Sequence, residues 1–422
     1  MTRRDLLTST ATAAITAASQ SRVMGANDRI SVALIGCGAR GNLLLPHFQK
    51  LNNSPLTAFC DVYRTRAEQT QALAPGAKLF GDHRKLLEMP GLDAVIIATP
   101  DHWHVPIAID ALNAGKDVYV EKPLTFTMEE GPRVIRAARV NDRICQVGAQ
   151  QRSGSHYIQA RDEYLRTGKL GKINLVRTWW TDGGGGIGNP VRANSNPAPA
   201  AAPRPAAAVA LGGHGTPPNM REKPADLDWN RYLGRARWRA WDAPQYFNFR
   251  NYRDFAGGIL TDKFVHWVDA VHMFMDQDGP ISADNAGGLY VAKDGRNVQD
   301  TINLHLEYPG QWICTYTNTA QAGFPREGIE FCGSQGHLRI DRTKYEYFSP
   351  ERGAAPLVVE CKTDLVAEHV QDFLDSCRSR KLPKGDVALG HRSAQAAHLG
   401  NLSYEQKRRI HFDPDREIVL PA

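Results

Sequence analysis

The chain has 422 residues, a formal net charge of +6, 42% hydrophobic and 23% charged residues. That length supports two domains with separate cores, and the ordinary apolar and charged fractions exclude a disordered or fibrous chain. The positive charge is dispersed, with Lys407-Arg408-Arg409 its one tight run, which argues against nucleic-acid binding.

At the N-terminus, Thr2-Arg3-Arg4-Asp5-Leu6-Leu7 leads into a weakly apolar, Ala/Thr-rich stretch ending near Ser19. Paired arginines before a mild hydrophobic segment read as a twin-arginine export signal over residues 1–26, with a mature chain from near Asn27 and a periplasmic destination. This stretch is too short and too polar to anchor the chain stably in a membrane, and no later one is apolar for long enough. Cysteines 37, 60, 145, 314, 332, 361 and 377 form no C-x-x-C pair, so neither a metal site nor a disulfide framework is expected. Cys37, Cys60 and Cys145 sit in apolar contexts and read as small core residues.

Residues 27–150 alternate strands with helices, the pattern of a doubly wound parallel sheet. Ile30 to Ile35 is a continuous apolar run entering Gly36-Cys37-Gly38-Ala39-Arg40-Gly41, and Leu43 to Phe48 looks helical. G-x-G-x-x-G between a strand and a helix is the dinucleotide fingerprint: the glycines serve a tight turn, close approach to pyrophosphate and helix-on-strand packing. A second strand, Leu56 to Cys60, ends in Asp61, placed for a carboxylate that bonds the adenosine ribose. Asp61 favours NAD by repelling a 2′-phosphate, while Arg64 and Arg66 leave NADP open.

A helix near Asp82 to Glu88 and a strand Ala94 to Ala98 follow, then the loop Thr99-Pro100-Asp101-His102-Trp103-His104 and a helix from His104 to Asn113. That loop leaves a strand C-terminus and is expected to border the cofactor, with Thr99, Pro100 and His104 as contacts. His102 and His104 have no third ligand spaced to join them, so capping or cofactor contact is preferred to metal binding. The next strand, Asp117 to Val120, runs into Glu121-Lys122-Pro123, placing a lysine where open α/β sheets hold their ligands. Arg40 and Glu121 complete the residues expected at the cofactor. A helix over Met128 to Val140 and a strand Ile144 to Val147 end this half.

After Gln151 the pattern changes, and residues 151–422 read as a second domain. Ile173 to Thr181 is a strand, and 183–218 a Gly/Ala/Pro-rich loop. Arg235 to Asp254 interleaves arginines with Trp238, Trp241, Tyr246, Phe247, Phe249 and Tyr252, suited either to a sugar ring or to a packed connection. In Gly257 to Asp269 a helix would put Asp262 and His266 one turn apart on one face, where the carboxylate could orient the imidazole. Alternating segments from Ile281 onward suggest a mainly antiparallel sheet, and helices are expected over Asp364 to Arg378 and Arg392 to Tyr404.

Gly36-x-Gly38-x-x-Gly41, Thr99-Pro100, Glu121-Lys122-Pro123 and Asp262-x-x-x-His266 together resemble the Gfo/Idh/MocA oxidoreductases, the group of glucose-fructose oxidoreductase and inositol dehydrogenase. The resemblance covers the chain after the signal. It implies a Rossmann domain followed by an α/β domain on a large, mostly antiparallel open sheet that commonly mediates homo-oligomerisation. It also implies that Lys122, Asp262 and His266 converge near the nicotinamide. The 183–218 insertion and Lys263-Phe264 depart from the family pattern.

On that footing the expected chemistry is hydride transfer from a hydroxyl-bearing carbon of a small-molecule sugar, glycoside or polyol. His266 takes the hydroxyl proton and Lys122 stabilises the developing alkoxide. Export implies tightly bound NAD (or NADP), reset within each cycle. One alternative is a glycosidase acting through a transient 3-keto sugar, as in some exported relatives; another is a non-catalytic sugar or nucleotide sensor.

Overall fold

The computed structural model describes residues 29–51, 54–181, 221–277, 279–319 and 326–421. The expected export signal, and all of the 183–218 loop, lie outside these residues.

The first half contains β1 (Val32–Ile35), α1 (Ala39–Gln49), β2 (Leu56–Cys60), α2 (Arg64–Gln71), β3 (Lys78–Phe80) and α3 (His83–Leu87). It continues through β4 (Ala94–Ile97), α4 (Asp101–Asn113), β5 (Asp117–Val120), α5 (Glu130–Val140) and β6 (Cys145–Val147). The six strands pair in parallel in the order β3-β2-β1-β4-β5-β6. β1, β4 and β5 are buried throughout, which is why they read as unbroken apolar runs rather than alternating ones. Strand order reverses between β1 and β4, and a ligand crevice opens at the carboxyl ends of the strands there.

At the crevice the start of α4 differs from the sequence expectation. α4 begins at Asp101 rather than His104, with Pro100 as its N-cap residue; Ala98-Thr99-Pro100 forms the link, and both histidines sit in the first helical turn. Proline here fixes an extended backbone just before the helix.

The second half holds α6 (Ser155–Ala160), β7 (Ile173–Trp180), α7 (Trp229–Leu233), α8 (Ala243–Phe247) and α9 (Val265–Met275). Then come β8 (Ser282–Gly288), β9 (Thr301–Tyr308), β10 (Trp312–Asn318), β11 (Glu327–Gly333), β12 (Gly336–Ile340), β13 (Lys344–Phe348) and β14 (Leu357–Glu360). Helices α10 (Leu365–Ser379) and α11 (Val387–Gln406) and strands β15 (Ile410–Asp413) and β16 (Ile418–Val419) complete the order. The ten strands run β14-β13-β12-β11-β7-β10-β9-β8-β15-β16. β7 and β10 pair in parallel and every other neighbour is antiparallel.

α9 is apolar nearly all round because it is covered on all sides. Trp267, Val268, Val271 and Phe274 pack against Leu304, Leu306, Tyr316, Ile329 and Phe331 on the inner face of the sheet, with Ala396, Ala397 and Leu399 of α11 alongside. Each such side chain contributes roughly 1.5–3 kcal/mol by leaving water. α10 crosses back to the parallel sheet, where Val370, Phe373 and Leu374 join Phe48, Phe59 and Tyr119 in one core. The fork of Arg380, just past α10, clamps Asp117 of β5 at 2.6 and 3.1 Å. These contacts fix the second half against the first, so the cleft between them has defined walls.

Candidate active site

The carboxyl ends of β1, β2, β4 and β5 open into a cleft of 480 Å³ lined from both halves. At one end lies the glycine turn. Gly36 has φ +96°, and a Cβ there would stand 2.7 Å from the main-chain carbonyl of Ala98, so the turn passes β4 only without a side chain. Gly41 faces away from the cleft, where a Cβ would meet the Gly36 carbonyl at 2.3 Å; its role is packing helix on strand. Gly38 has only the tip of Arg66, at 4.0 Å, near its missing Cβ, leaving its backbone open to the cleft. An open backbone at the head of α1 is the cradle a pyrophosphate needs.

Asp61 follows β2, where its carboxylate accepts the Cys37 N–H and the Tyr63 N–H, both at 2.8 Å. Burial pushes its pKa up, against Arg66 and those two amides. Arg66 lies 4.8 Å from the Tyr246 ring centre and 5.6 Å from that of Phe247. Arg64, by contrast, points outward and pairs with Glu68. Arg40 lines the cleft and donates to Glu121 at 2.7 Å, tying the glycine turn to the end of β5.

His102 and His104 are committed to main-chain carbonyls. His104 Nδ1 lies 2.7 Å from the Pro123 oxygen and its Nε2 2.9 Å from that of Thr99, so one imidazole joins the two loops on which Lys122 and Pro100 stand. His102 Nε2 lies 2.9 Å from the Tyr232 oxygen. Among the described residues no group of three or more His, Cys, Asp or Glu is placed to hold a metal.

At the other end, Lys122 follows β5 and precedes a cis peptide to Pro123. Asp262 and His266 come from the start of the long helix, but not as a regular α-helix: Leu260–Phe264 forms a π-helical turn before α9. Such bulges commonly mark functional sites. Lys122 Nζ donates to the Asp262 carboxylate at 2.8 Å and to its main-chain oxygen at 2.5 Å. Arg250 Nε donates to the same carboxylate oxygen at 3.0 Å.

This corrects the expected Asp262–His266 pairing. No hydrogen bond joins those two side chains, and His266 Nδ1 is buried with no partner. The wider turn gives the carboxylate to two cations instead. Burial works against ionisation of Asp262, but Lys122 and Arg250 outweigh it and hold the carboxyl far below its usual range. Burial, reinforced by Lys122 and Arg342, holds His266 well below 6.5, with Asp262 opposing more weakly. The imidazole is therefore neutral at pH 7, as a proton acceptor must be.

Residues 30–149 match the model of an oxidoreductase family with an NAD-binding Rossmann fold, and residues 232–339 match the Gfo/Idh/MocA C-terminal domain. The chain belongs to the Gfo/Idh/MocA oxidoreductase family. Within the family it is similar to a glycosyl hydrolase family 109 protein 2 of Shewanella sp. (strain ANA-3), 37% identical over 127 residues, 28% of each chain. It is also similar to scyllo-inositol 2-dehydrogenase (NAD(+)) of Bacillus subtilis (strain 168), 34% identical over 160 residues, 37% of this chain and 46% of that one. The matched stretches thus span less than half the length of these relatives. Among solved structures, aldose-aldose oxidoreductase from Caulobacter crescentus superposes with a TM-score of 0.68 at 16% identity, covering 91% of this chain and 100% of that one; this shows a shared fold.

This Gfo/Idh/MocA site also contains groups that sequence reasoning missed. Trp180, Lys263 and Arg342 line the cleft beside His266, with the Arg342 guanidinium 4.3 Å from the Trp180 ring centre. Gln150 and Gln151 complete its floor. The aromatic segment divides between roles. Tyr246 packs with Tyr63, Trp229, Tyr232 and Phe255, with Trp241 against them, while Trp238 is 74% exposed. Phe247 and Phe249 reach the cleft, and Tyr246 lines it too. The stretch is thus both a packed connection, its rings meeting across α7 and α8, and part of the cleft wall.

Proposed function

We propose that this protein is an oxidoreductase that takes hydride from a hydroxyl-bearing carbon of a sugar, glycoside or polyol. The observation that carries the proposal is the placement of Lys122, fixed by Asp262, and a neutral His266 in the same cleft as the glycine turn. Nicotinamide, when bound, supplies the hydride acceptor. An ammonium has three N–H groups; two serve Asp262, and the third donates to the substrate oxygen, stabilising the alkoxide as it forms. His266 takes the hydroxyl proton. Asp262 acts through Lys122 and is a positioning residue. A purely binding protein, the sensor alternative, has no use for this combination.

NAD is preferred over NADP. The Asp61 carboxylate would repel a 2′-phosphate, Arg66 is engaged with aromatic rings, and Arg64 is turned outward to Glu68. Tight retention is supported by the segment from Asp226 to Phe255, which straps the second half onto the adenosine end. Thr65 N and Oγ1 donate to Asp226 at 2.8 and 2.7 Å, Asp228 N to the Val62 oxygen at 2.9 Å and Trp103 Nε1 to the Tyr232 oxygen at 2.8 Å. Denaturing the purified protein and finding no nicotinamide absorbance in the supernatant, with activity only on added NAD, would rule retention out.

Similarity to the glycosyl hydrolase family 109 protein favours one second reading, a glycosidase. Transient oxidation at sugar C3 acidifies the C2 proton, the anomeric substituent is eliminated, water adds, and the ketone is reduced again. Incubation with free sugars and aryl glycosides separates the two readings: aglycone release without net nicotinamide reduction supports the glycosidase, and stoichiometric ketone the dehydrogenase. We place the mature protein in the periplasm on the strength of Arg3-Arg4, and assign self-association to the open face of the second sheet, where Ile313 stands exposed. No described helix is long and apolar enough to cross a membrane.

A further inference from the structure

Two carboxyl groups share the cleft with Lys122, and their surroundings differ. Asp262 is bonded by Lys122 and Arg250. Asp101, the first residue of α4, lines the same cleft and is 6% exposed, yet among the described residues no hydrogen bond or ion pair reaches its carboxyl. Asp117, Glu121, Asp269, Asp300 and Asp386 are buried at least as deeply, and each of them is hydrogen-bonded. A buried polar group without a partner is costly, and one that opens on a cleft is where a ligand completes the bonding. The carboxyl also stands on a fixed element: Pro100 caps α4 in an extended conformation, and His104, one turn on, ties that turn to Pro123 and Thr99.

Burial opposes ionisation of both groups, with opposite outcomes. At Asp262, Lys122 and Arg250 outweigh it and hold the carboxyl far below its usual range. At Asp101 burial prevails over His104, Arg250 and Lys122, with Asp262 adding to it, and the pKa is pushed up. Two carboxyls driven apart in one site divide the roles: one stays charged, and the other can gain and lose a proton. Oxidation of a hydroxyl needs one base, which His266 supplies. A second proton-transferring group has a part only if a second proton moves, and the glycosidase reading contains one, on C2 of the sugar.

On the footing of that reading, we propose that Asp101 is the second acid–base residue of the site and takes the C2 proton of the 3-keto sugar. The C2–H electron pair becomes a C2=C3 bond and the ketone oxygen an enolate, which the Lys122 ammonium stabilises. As the ketone re-forms, that pair moves to C1=C2, the bond from C1 to the anomeric oxygen breaks, and the departing oxygen takes the proton from Asp101. Water then adds, its hydroxyl to C1 and its proton, by way of Asp101, to C2. These steps involve no net oxidation or reduction.

The test supplies the ketone ready-made. Methyl 3-keto glycosides of D-glucose and D-galactose, in both anomeric forms, are incubated in D2O with the protein as purified, and loss of the C2 proton is followed by NMR. Wild-type protein is expected to speed exchange of at least one of them about tenfold or more over buffer. Asp101→Asn is expected to slow that exchange about a hundredfold or more while still binding the ketoside by saturation-transfer NMR and melting near the wild-type temperature, since it breaks no hydrogen bond. Asp101→Glu, which keeps a carboxyl, is expected to recover part of the rate. Exchange no faster than in buffer for all four ketosides, an Asp101→Asn variant as fast as wild type, or binding and exchange lost by the same factor would each overturn the proposal. Because no hydride moves in this assay, the glycosidase reading fails separately: exchange through Asp101 with aryl glycosides left uncleaved removes the glycosidase and leaves the base standing, whereas aryl glycosides cleaved by Asp101→Asn at the wild-type rate keep the glycosidase and remove Asp101.

Discussion

Lys122 Nζ lies 2.8 Å from the carboxylate and 2.5 Å from the main-chain oxygen of Asp262, so one residue of the π-helical turn fixes the lysine twice. Lys122→Ala and His266→Ala are each expected to lower turnover about a hundredfold or more, the scale of losing a positioned acid-base group, with nicotinamide still bound. Asp262→Asn is expected to cost less, since the main-chain oxygen still holds the ammonium. Steady-state kinetics beside nicotinamide content read both; near-normal turnover in either alanine variant removes that residue from the mechanism.

The pH dependence follows from His266. Its pKa in the folded protein lies below 6.5, so lowering the pH from about 8 to 6.5 leaves the imidazole neutral and able to accept a proton. Activity limited by this group falls only as the pH drops further, through the depressed value. A kcat/KM profile with its acid limb at or above 6.5 would show that another group is the base.

Stability has a separate test in Arg152 and Asp269, an ion pair joined at 2.9 Å with side chains 7% and 2% exposed. Asp269 also accepts from Ser393 of α11 at 2.7 Å. Asp269→Asn strands the guanidinium in the interior and is expected to destabilise by about 3–5 kcal/mol. Urea unfolding of the variant checks this, and a loss below about 1 kcal/mol would place the pair among exposed ones.

Gly36 and Gly38 are expected to behave differently although both belong to the fingerprint. Gly36→Ala puts a Cβ 2.7 Å from a main-chain carbonyl at φ +96°, and is expected to lose stability as well as nicotinamide. Gly38 has φ −80°, which any residue adopts, and open space at its Cβ position. Gly38→Ala is therefore expected to melt near the wild-type temperature while losing nicotinamide. Equal thermal losses in the two variants would contradict this division.

On the proposed reading cofactor choice turns on Asp61. Replacing it by serine removes the charge that would face the ribose, and the ratio of NAD to NADP affinity is expected to fall about tenfold or more. Isothermal titration with each nucleotide measures it; an unchanged ratio would move the determinant elsewhere, with Arg66 the next residue to vary.

The sequence alone determined the first half, because a buried parallel sheet requires continuous apolar strands and a dinucleotide turn requires glycines at fixed spacing. Both constraints are local, and they placed Gly36, Asp61 and Lys122 by number. Asp262 and His266 were also found by spacing, yet the geometry read from regular helix periodicity was wrong: the π-helical turn hands the carboxylate to Lys122 and Arg250. In the sequence Lys263 is only a departure from the family pattern. Arg250, Arg342 and Trp180 carried no motif, since each reaches the cleft from a different strand or loop and the distances among them depend on how the two sheets are set against each other. The return of α10 to the parallel sheet likewise follows from an apolar face whose partners lie some three hundred residues earlier. Local hydrogen bonding and periodicity wrote the elements and the cofactor cradle; long-range packing decided which charges meet beside His266.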